Sequence, residues 1–210
     1  VVVKAWQEGS FSHKGKYFEY NDIEVLPKPY QKDMPVWIGA TSEGSIEWAA
    51  TQGYSILQGP HSTHAESFAK RQLYKDALES SGYSFIGRSI PLTRTVGIGK
   101  TMEEGFELGR SGAQFMFGSY LKKNSNIRGG EKAAAEGKTQ SNEAMIAAER
   151  ENVDPVERYV NDCALCGSPE KIIDDIERLR ETNDMDYLMI APLGHESFIR
   201  FTEDVIPHFL

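Results

Sequence analysis

The chain has 210 residues, of which 40% are hydrophobic and 26% charged, as in ordinary globular domains. A net charge of -8 argues against wholesale binding to nucleic acid or to anionic membranes. No apolar run reaches the roughly 20 residues that span a bilayer, and the start at Val1 lacks a signal-peptide layout. These properties predict one cytoplasmic domain over residues 1–210, without nucleic-acid or membrane partners.

The two cysteines, Cys163 and Cys166, form a Cys-x-x-Cys pair. A zinc site would need a second ligand pair nearby, and no other Cys or His lies close in sequence. A redox pair would normally open a helix directly after a strand, whereas Cys166 precedes Gly167 and Ser168. We therefore expect both residues to be small apolar groups in a reducing cytoplasm, and we expect no metal site.

The first predicted elements are short. Val1 to Gln7 is typical of a helix end that Gly9 closes, and residues 11–18 form an aromatic-rich turn. Apolar and polar residues alternate from Tyr20 to Leu26 before a Pro-rich stretch. That alternation predicts a short edge strand or an extended arm.

Pro35 to Ala50 predicts a strand, a turn of small residues and a helix start. Ser42 and Ser45 are natural cap residues, because their hydroxyls can bond first-turn backbone N–H groups. Unpaired N–H groups and the positive end of the helix dipole also suit an anion, so this turn could hold a phosphate. The alternative is a capped strand–helix junction without a ligand.

Strands and helices then alternate to the end of the chain. Further strands are predicted at 54–58, 90–98 and 185–192, and helices at 65–80, 101–120, 168–180 and 195–210. The helix at 101–120 is weakened by its glycines, Gly105, Gly109 and Gly112. The spacing predicts these core-facing residues in the helices at 65–80 and 195–210: Phe68, Leu73, Ala77, Leu78, Phe198, Phe201, Val205 and Phe209. Apolar strands that are each followed by a helix predict a parallel sheet covered on at least one face. Four such units are half of an eightfold barrel, and a start inside an element favours that half-barrel over an open four-stranded sheet.

Two polar features interrupt this pattern. Residues 122–154 hold several Gly, Asn, Lys and Arg residues and form either a surface insertion or an active-site lid. Arg94 lies within the third strand. If its side chain points inward, we expect a carboxylate or phosphate partner, because a buried unpaired charge is costly.

Six short segments carry a family resemblance. They are Gly15–Phe18, Val25–Pro29, Pro35–Ser45, Glu47–Ala50, Gly167–Glu170 and Asp204–Pro207. In this order they resemble the C-terminal half of the bacterial luciferase-like flavin-dependent monooxygenases. The resemblance implies an α/β fold that is the half of a TIM (β/α)8 barrel with strands 5–8, with the long 122–154 insertion after strand 7 as a mobile lid. In that lid, Lys132, Lys138 and Arg150 would be free to meet an anionic substrate or the flavin phosphate.

The resemblance also implies an FMN site in the turn after the first of these strands. The phosphate would be held by Thr41, Ser42, Glu43, Gly44 and Ser45, with Gly39 and Ala40 beside the ribityl chain. The first four strands, which carry several flavin contacts in the family, have no counterpart here, so no catalytic residue is assigned. His61, in the loop after the second strand, is the best local candidate, although a lone loop histidine is more often simply solvated.

The implied activity is that of a monooxygenase that uses reduced FMN and O2 to oxygenate a small organic substrate, with a separate flavin reductase supplying the reduced FMN. Two alternatives stay open: an oxidoreductase of the same superfamily that uses the deazaflavin F420, and a non-catalytic partner subunit. A half-barrel leaves two sheet edges exposed, so we also expect a homo-oligomer.

Overall fold

The computed structural model describes residues 1–32, 34–123 and 143–210. The chain divides into two compact units, Val1–Val36 and Trp37–Leu210. The single domain expected over 1–210 stays a prediction, and each unit is described by itself.

The first unit contains one helix and a two-stranded hairpin. Helix α1 (Val2–Gln7) is followed by the antiparallel strands β1 (Phe11–Lys14) and β2 (Glu19–Ile23). The predicted helix end and the predicted extended segment are thus confirmed. The turn predicted at 11–18 is wrong at its start, because residues 11–14 pair with β2, a tertiary contact that local composition does not reveal.

The second unit alternates strands and helices. Its elements are β3 (Trp37–Gly39), α2 (Glu43–Thr51), β4 (Ser55–Leu57), α3 (His64–Ser80), β5 (Leu92–Ile98), α4 (Met102–Lys123), α5 (Glu143–Glu151), α6 (Pro155–Arg158), a π-helix (Tyr159–Cys163), β6 (Leu165–Gly167), α7 (Pro169–Asn183), β7 (Leu188–Pro192), α8 (His195–Arg200), a second π-helix (Phe201–Val205) and a 3-10 helix (Ile206–Phe209). No helix in the described part of the chain is long and apolar enough to cross a membrane.

The strands of this unit are parallel, as predicted. Strand β3 pairs with β4, and β5 lies between β6 and β7. A parallel bridge from Gln58 to Leu92 joins the end of β4 to the start of β5. The sequence predicted four strands, whereas the structure has five, because the three-residue β6 is too short to show a hydrophobic period.

Two hydrophobic clusters hold these strands against their helices. The first joins α2 and α3 to β3 and β4 through Ile46, Ile56, Tyr74 and Leu78, all fully buried. The second joins α7 and the second π-helix to β5; it contains Leu92, Val96, Ile98, Leu165, Ile172, Ile176, Leu179, Met185, Phe201 and Val205. The apolar burial that these clusters supply fixes the strand ends from which the loops of the candidate site begin.

The buried faces of two helices differ from the prediction. In α3 the sequence placed Phe68 toward the core, but Phe68 is 39% exposed and the polar residues Ser67 and Arg71 are buried instead. In the C-terminal helical segment Phe201 and Val205 are buried as expected, whereas the predicted core residues Phe198 and Phe209 are 48% and 37% exposed. Hydrophobicity alone misplaces α3 because its buried polar side chains find partners within the fold.

The predicted insertion is only partly described. Residues 124–142, with Lys132 and Lys138, lie outside the described residues. The C-terminal part of the insertion is helical, since α5 covers Glu143–Glu151 and Asp154 caps α6. The choice between a surface insertion and an active-site lid stays a prediction.

Candidate cofactor-binding site

The turn between β3 and α2 is built as the sequence predicts, with Ser42 as the N-cap of α2. The Ser42 Oγ accepts the backbone N–H of Ser45 at 3.4 Å, and the Ser45 Oγ donates to the Ser42 carbonyl at 2.8 Å. Ser45 is thus not a second cap but a first-turn residue of the helix. The two hydroxyls also lie 3.1 Å apart and form one polar pair at the helix entrance.

This turn offers donors and open space together. Among the described residues, the backbone N–H groups of Glu43 and Gly44 have no acceptor, as expected for the first turn of a helix. A Cβ atom added at Gly39 or at Gly44 would meet no described atom within 4 Å. The side chain of Thr41 is exposed beside them. The arrangement fits a phosphate group, which takes backbone N–H and hydroxyl donors.

Two features bound how this turn can act. The Glu43 carboxylate stands in the first turn of α2 and already complements the positive end of the helix, so a bound phosphate requires it to point away. On the opposite side the turn is anchored, since Ala40 is 2% exposed and Ile46 is fully buried. The turn is consequently rigid on its core side and open on its outer side.

His61 lies in the loop that follows the neighbouring strand, β4. Gly39 of β3 lies in register with Leu57 of β4, so the turn after β3 and the loop after β4 start at the same level of the sheet. The His61 ring packs against the Tyr159 ring with centroids 5.8 Å apart. The register brings the two predicted site segments to the carboxyl ends of two paired strands. The catalytic role of His61 stays a prediction.

A buried polar network lies behind this loop, centred on Arg94. The Arg94 side chain is fully buried and donates to Ser67 Oγ at 2.7 Å, to His64 Nδ1 at 3.3 Å and to the carbonyl oxygen of Gly59 at 3.4 Å. No carboxylate accepts a hydrogen bond from Arg94 among the described residues. Uncharged acceptors take that place, including the Thr93 carbonyl oxygen at 3.0 Å, and an external phosphate partner stays a prediction.

The charges of this network are set by burial. Burial, followed by the nearby Arg94 guanidinium, lowers the pKa of His64 to about 4. His64 is therefore neutral at pH 7, and its Nδ1 is free to accept the hydrogen bond from Arg94. Burial also lowers the pKa of Arg94 itself to about 10, which leaves the guanidinium charged at pH 7.

Sequence inspection missed an ion-pair cluster at the same loop. Arg158 donates to both carboxylate oxygens of Glu151, at 2.7 and 3.0 Å, and to Glu66 at 3.1 Å. Its side chain is only 3% exposed. Glu66 and Arg158 are 92 positions apart, so no local pattern could have revealed this contact.

Cys163 and Cys166 are buried and free, as small apolar residues would be. Burial raises the pKa of each thiol to about 11, so neither is a thiolate at neutral pH. Within the described ranges no group of three or more His, Cys, Asp or Glu residues could hold a metal ion.

Comparison with known proteins identifies the family. The sequence model of the family described as luciferase-like monooxygenase matches residues 1–184. The alkanal monooxygenase alpha chain of Aliivibrio fischeri is 26% identical over 83 residues, which cover 40% of this chain and 23% of that protein.

Two of the solved structures that match the fold illustrate the similarity. The F420-dependent tetrahydromethanopterin reductase from Methanopyrus kandleri has a TM-score of 0.68 at 18% identity, and the match covers 100% of this chain and 61% of that chain. The oxygenating constituent of 3,6-diketocamphane monooxygenase from Pseudomonas putida, in complex with FMN, has a TM-score of 0.64 at 20% identity, with coverage of 99% and 60%.

The chain thus spans about three fifths of these structures and at most a third of the curated relatives that it matches. It has the α/β fold of luciferase-like TIM-barrel proteins in the form of an incomplete barrel, which confirms the predicted fold class. Because the family's sequence model matches most of its length, the chain belongs to the luciferase-like monooxygenase family.

Proposed function

We propose that the protein is a flavin-dependent monooxygenase that uses reduced FMN and O2 to oxygenate a small organic substrate. Membership of the luciferase-like monooxygenase family supports an oxidoreductase of this kind. The carrying observation is the β3–α2 turn, where two unpaired backbone N–H groups meet the open space at Gly39 and Gly44. A flavin phosphate matches these donors in charge and in geometry.

Different residues of the β3–α2 turn would bind different parts of FMN. The N–H groups of Glu43 and Gly44 and the hydroxyls of Thr41, Ser42 and Ser45 would hold the phosphate, and Gly39 and Ala40 would flank the ribityl chain. When bound, FMN supplies the two-electron chemistry with oxygen. The protein holds the group in place and keeps water from it.

A second candidate is an oxidoreductase that uses F420. The F420-dependent reductase from Methanopyrus kandleri has a fold similarity as high as that of the FMN-bound monooxygenase. Both cofactors carry a phosphate that the same turn could accept. We favour FMN because the matching family is that of monooxygenases.

The proposal extends to partners and compartment. A separate flavin reductase would supply the reduced FMN, and the protein would act as a homo-oligomer. Free, buried thiols at Cys163 and Cys166 support a reducing cytoplasm as the compartment.

Titration with FMN and with F420, followed by quenching of cofactor fluorescence, tests the proposal. We expect FMN to bind at least about tenfold more tightly than F420, and the Ser42→Ala/Ser45→Ala variant to lose about tenfold in FMN affinity, because two hydroxyl donors to a charged group are removed. If the protein oxidised no substrate by itself but activated a second chain, the partner-subunit alternative would be favoured instead.

Ser168→Ala is the matched control. Ser168 caps α7 as Ser42 caps α2, and its hydroxyl accepts the Lys171 N–H at 3.5 Å. The control therefore removes an equivalent cap while leaving the β3–α2 turn intact. Equal losses of FMN affinity in both variants, or no loss in the Ser42/Ser45 variant, would show that this turn is only a helix cap.

A further inference from the structure

The loop between β4 and α3, residues Gly59–Thr63, is held by side chains from several elements. Arg94 of β5 binds the Gly59 carbonyl, and Lys70 of α3 donates to the Ser62 hydroxyl at 2.9 Å. The backbone N–H of Thr63 donates to Glu66 Oε2 at 2.7 Å, within a capping box. A loop held at so many points is fixed before any ligand binds.

A further buried support comes from Arg158, at the end of α6. The Glu66 carboxylate is shared: Oε2 accepts the Thr63 N–H, and Oε1 accepts from Arg158 at 3.1 Å. The same guanidinium also donates to both carboxylate oxygens of Glu151 in α5. Arg158 thereby links the end of the insertion to the first turn of α3.

The residues after Arg158 continue the contact. The Tyr159 ring packs against the His61 ring, and its hydroxyl lies 3.0 Å from Thr95 Oγ1. The Cys163 thiol donates to the His61 carbonyl oxygen at 3.7 Å. Tyr159–Cys163 is a π-helix, a form that often occurs at functional sites.

We propose that Arg158 is a positioning residue that, together with the π-helix Tyr159–Cys163, fixes His61 and the β4–α3 loop beside the β3–α2 turn. Two contacts from residues 159–163 reach His61 directly, namely the Tyr159 ring contact and the Cys163 thiol hydrogen bond. The ion pair of Arg158 acts through Glu66 of α3, which accepts the Thr63 N–H of the loop. The consequence for a cofactor rests on the proposed function; the positioning of the loop does not.

Arg158→Lys tests the proposal, because a lysine keeps the charge but cannot bridge two carboxylates with a planar fork. We expect the Thr63 amide, which donates to Glu66, to exchange hydrogen about tenfold faster or more, and the His61 ring signals to shift in NMR spectra. The midpoint of global unfolding, measured in parallel, separates a local change in the loop from a general loss of stability.

Arg110→Lys is the matched control. Arg110 also donates to both oxygens of one carboxylate, Glu157, at 2.6 and 3.3 Å, but makes no contact with the loop. We expect hydrogen exchange at the Thr63 amide to stay unchanged in this variant. Equal acceleration in both variants would overturn the proposal, as would an unchanged loop in Arg158→Lys.

Glu66→Gln provides a second route should Arg158→Lys fail to fold. Glutamine retains the capping acceptor for Thr63 but loses the charge that pairs with Arg158. We expect Glu66→Gln to accelerate hydrogen exchange at the Thr63 amide as well. The double variant should show less acceleration than the sum of the two single variants. Additive effects would contradict a shared contact.

FMN titration separates the two proposals. If the loop changes in the variants as expected but the wild type does not bind FMN, only the proposed function is refuted.

Discussion

Arg94 is a buried cation whose hydrogen bonds go to uncharged groups. Its partners are a hydroxyl, an imidazole nitrogen and backbone carbonyl oxygens, and one of the latter belongs to the loop that carries His61. This arrangement works only while His64 is neutral, since a protonated ring has no acceptor left for Arg94. The protonation state of one histidine therefore controls the core behind the candidate site.

We predict that stability falls as the pH drops through the titration range of His64. The pKa of His64 is depressed to about 4 in the folded protein, below its ordinary value of 6.5, so the unfolded state binds the proton first. The stabilisation is fully present above about pH 6.5 and is lost progressively toward about pH 4, by at most about 3 kcal/mol.

Urea unfolding at about pH 7.5 and about pH 4.5 measures this effect. His64→Asn is the comparison, since an amide oxygen can accept from Arg94 without titrating. Besides Arg94, three charged groups act on His64, namely Asp175, Lys171 and Arg178, and they are unchanged in the variant. Identical loss of stability in the variant and the wild type would show that other groups dominate the acid sensitivity.

Single residues also show where sequence reasoning succeeds. Ser42 was identifiable because a cap lies next to the residues that it caps, and local order alone specifies it. Arg158 was not identifiable, because its partner Glu66 is distant in sequence and only the fold joins them. Long-range polar contacts are thus invisible to motif and periodicity arguments.

At the level of elements, glycine residues determine how α4 packs. A Cβ atom on Gly105 would collide with the backbone of Gly167, and one on Gly109 would lie 2.5 Å from Cys166 Sγ. From the sequence these glycines predicted only a weaker helix. In the structure they allow α4 to lie directly on β5 and β6.

We predict opposite effects for two alanine substitutions within α4. Gly105→Ala should destabilise the protein by about 1–3 kcal/mol, because β6 must move to admit the methyl group. Gly118→Ala should stabilise it by up to about 1 kcal/mol, because no described atom lies within 4 Å of the added Cβ and alanine favours the helix. Chemical denaturation measures both changes. A stabilised Gly105→Ala variant would contradict the close approach.

The elements that the sequence missed are the short ones. Strands β1 and β6 have four and three residues, and each exists because a partner strand lies beside it. Helices α3, α4 and α7 and strands β5 and β7 were predicted because their apolar spacing spans several turns or residues. Pairing decides short strands, and pairing is a property of the fold.

At the level of the whole molecule, the parallel sheet ends at strands that lack a second neighbour. In the part of the chain that the structure describes, β3 pairs only with β4, and β6 and β7 each pair only with β5. Large apolar side chains stand on β3 and β7, with Trp37 at 42% and Met189 at 36% exposure. Order and parallel direction were predictable from the alternation of strands and helices, whereas this exposure follows from the incomplete barrel.

We predict that the chain self-associates through these edges. Unpaired strand edges with apolar side chains favour pairing with another chain, and a lysine on the edge opposes it. Met189→Lys should therefore shift the sedimentation profile toward the monomer at concentrations where the wild type is oligomeric. Phe115→Ser is the control, since Phe115 is 79% exposed but lies on α4, away from any strand. A wild type that stays monomeric at all concentrations, or equal effects of both variants, would refute association through the sheet edge.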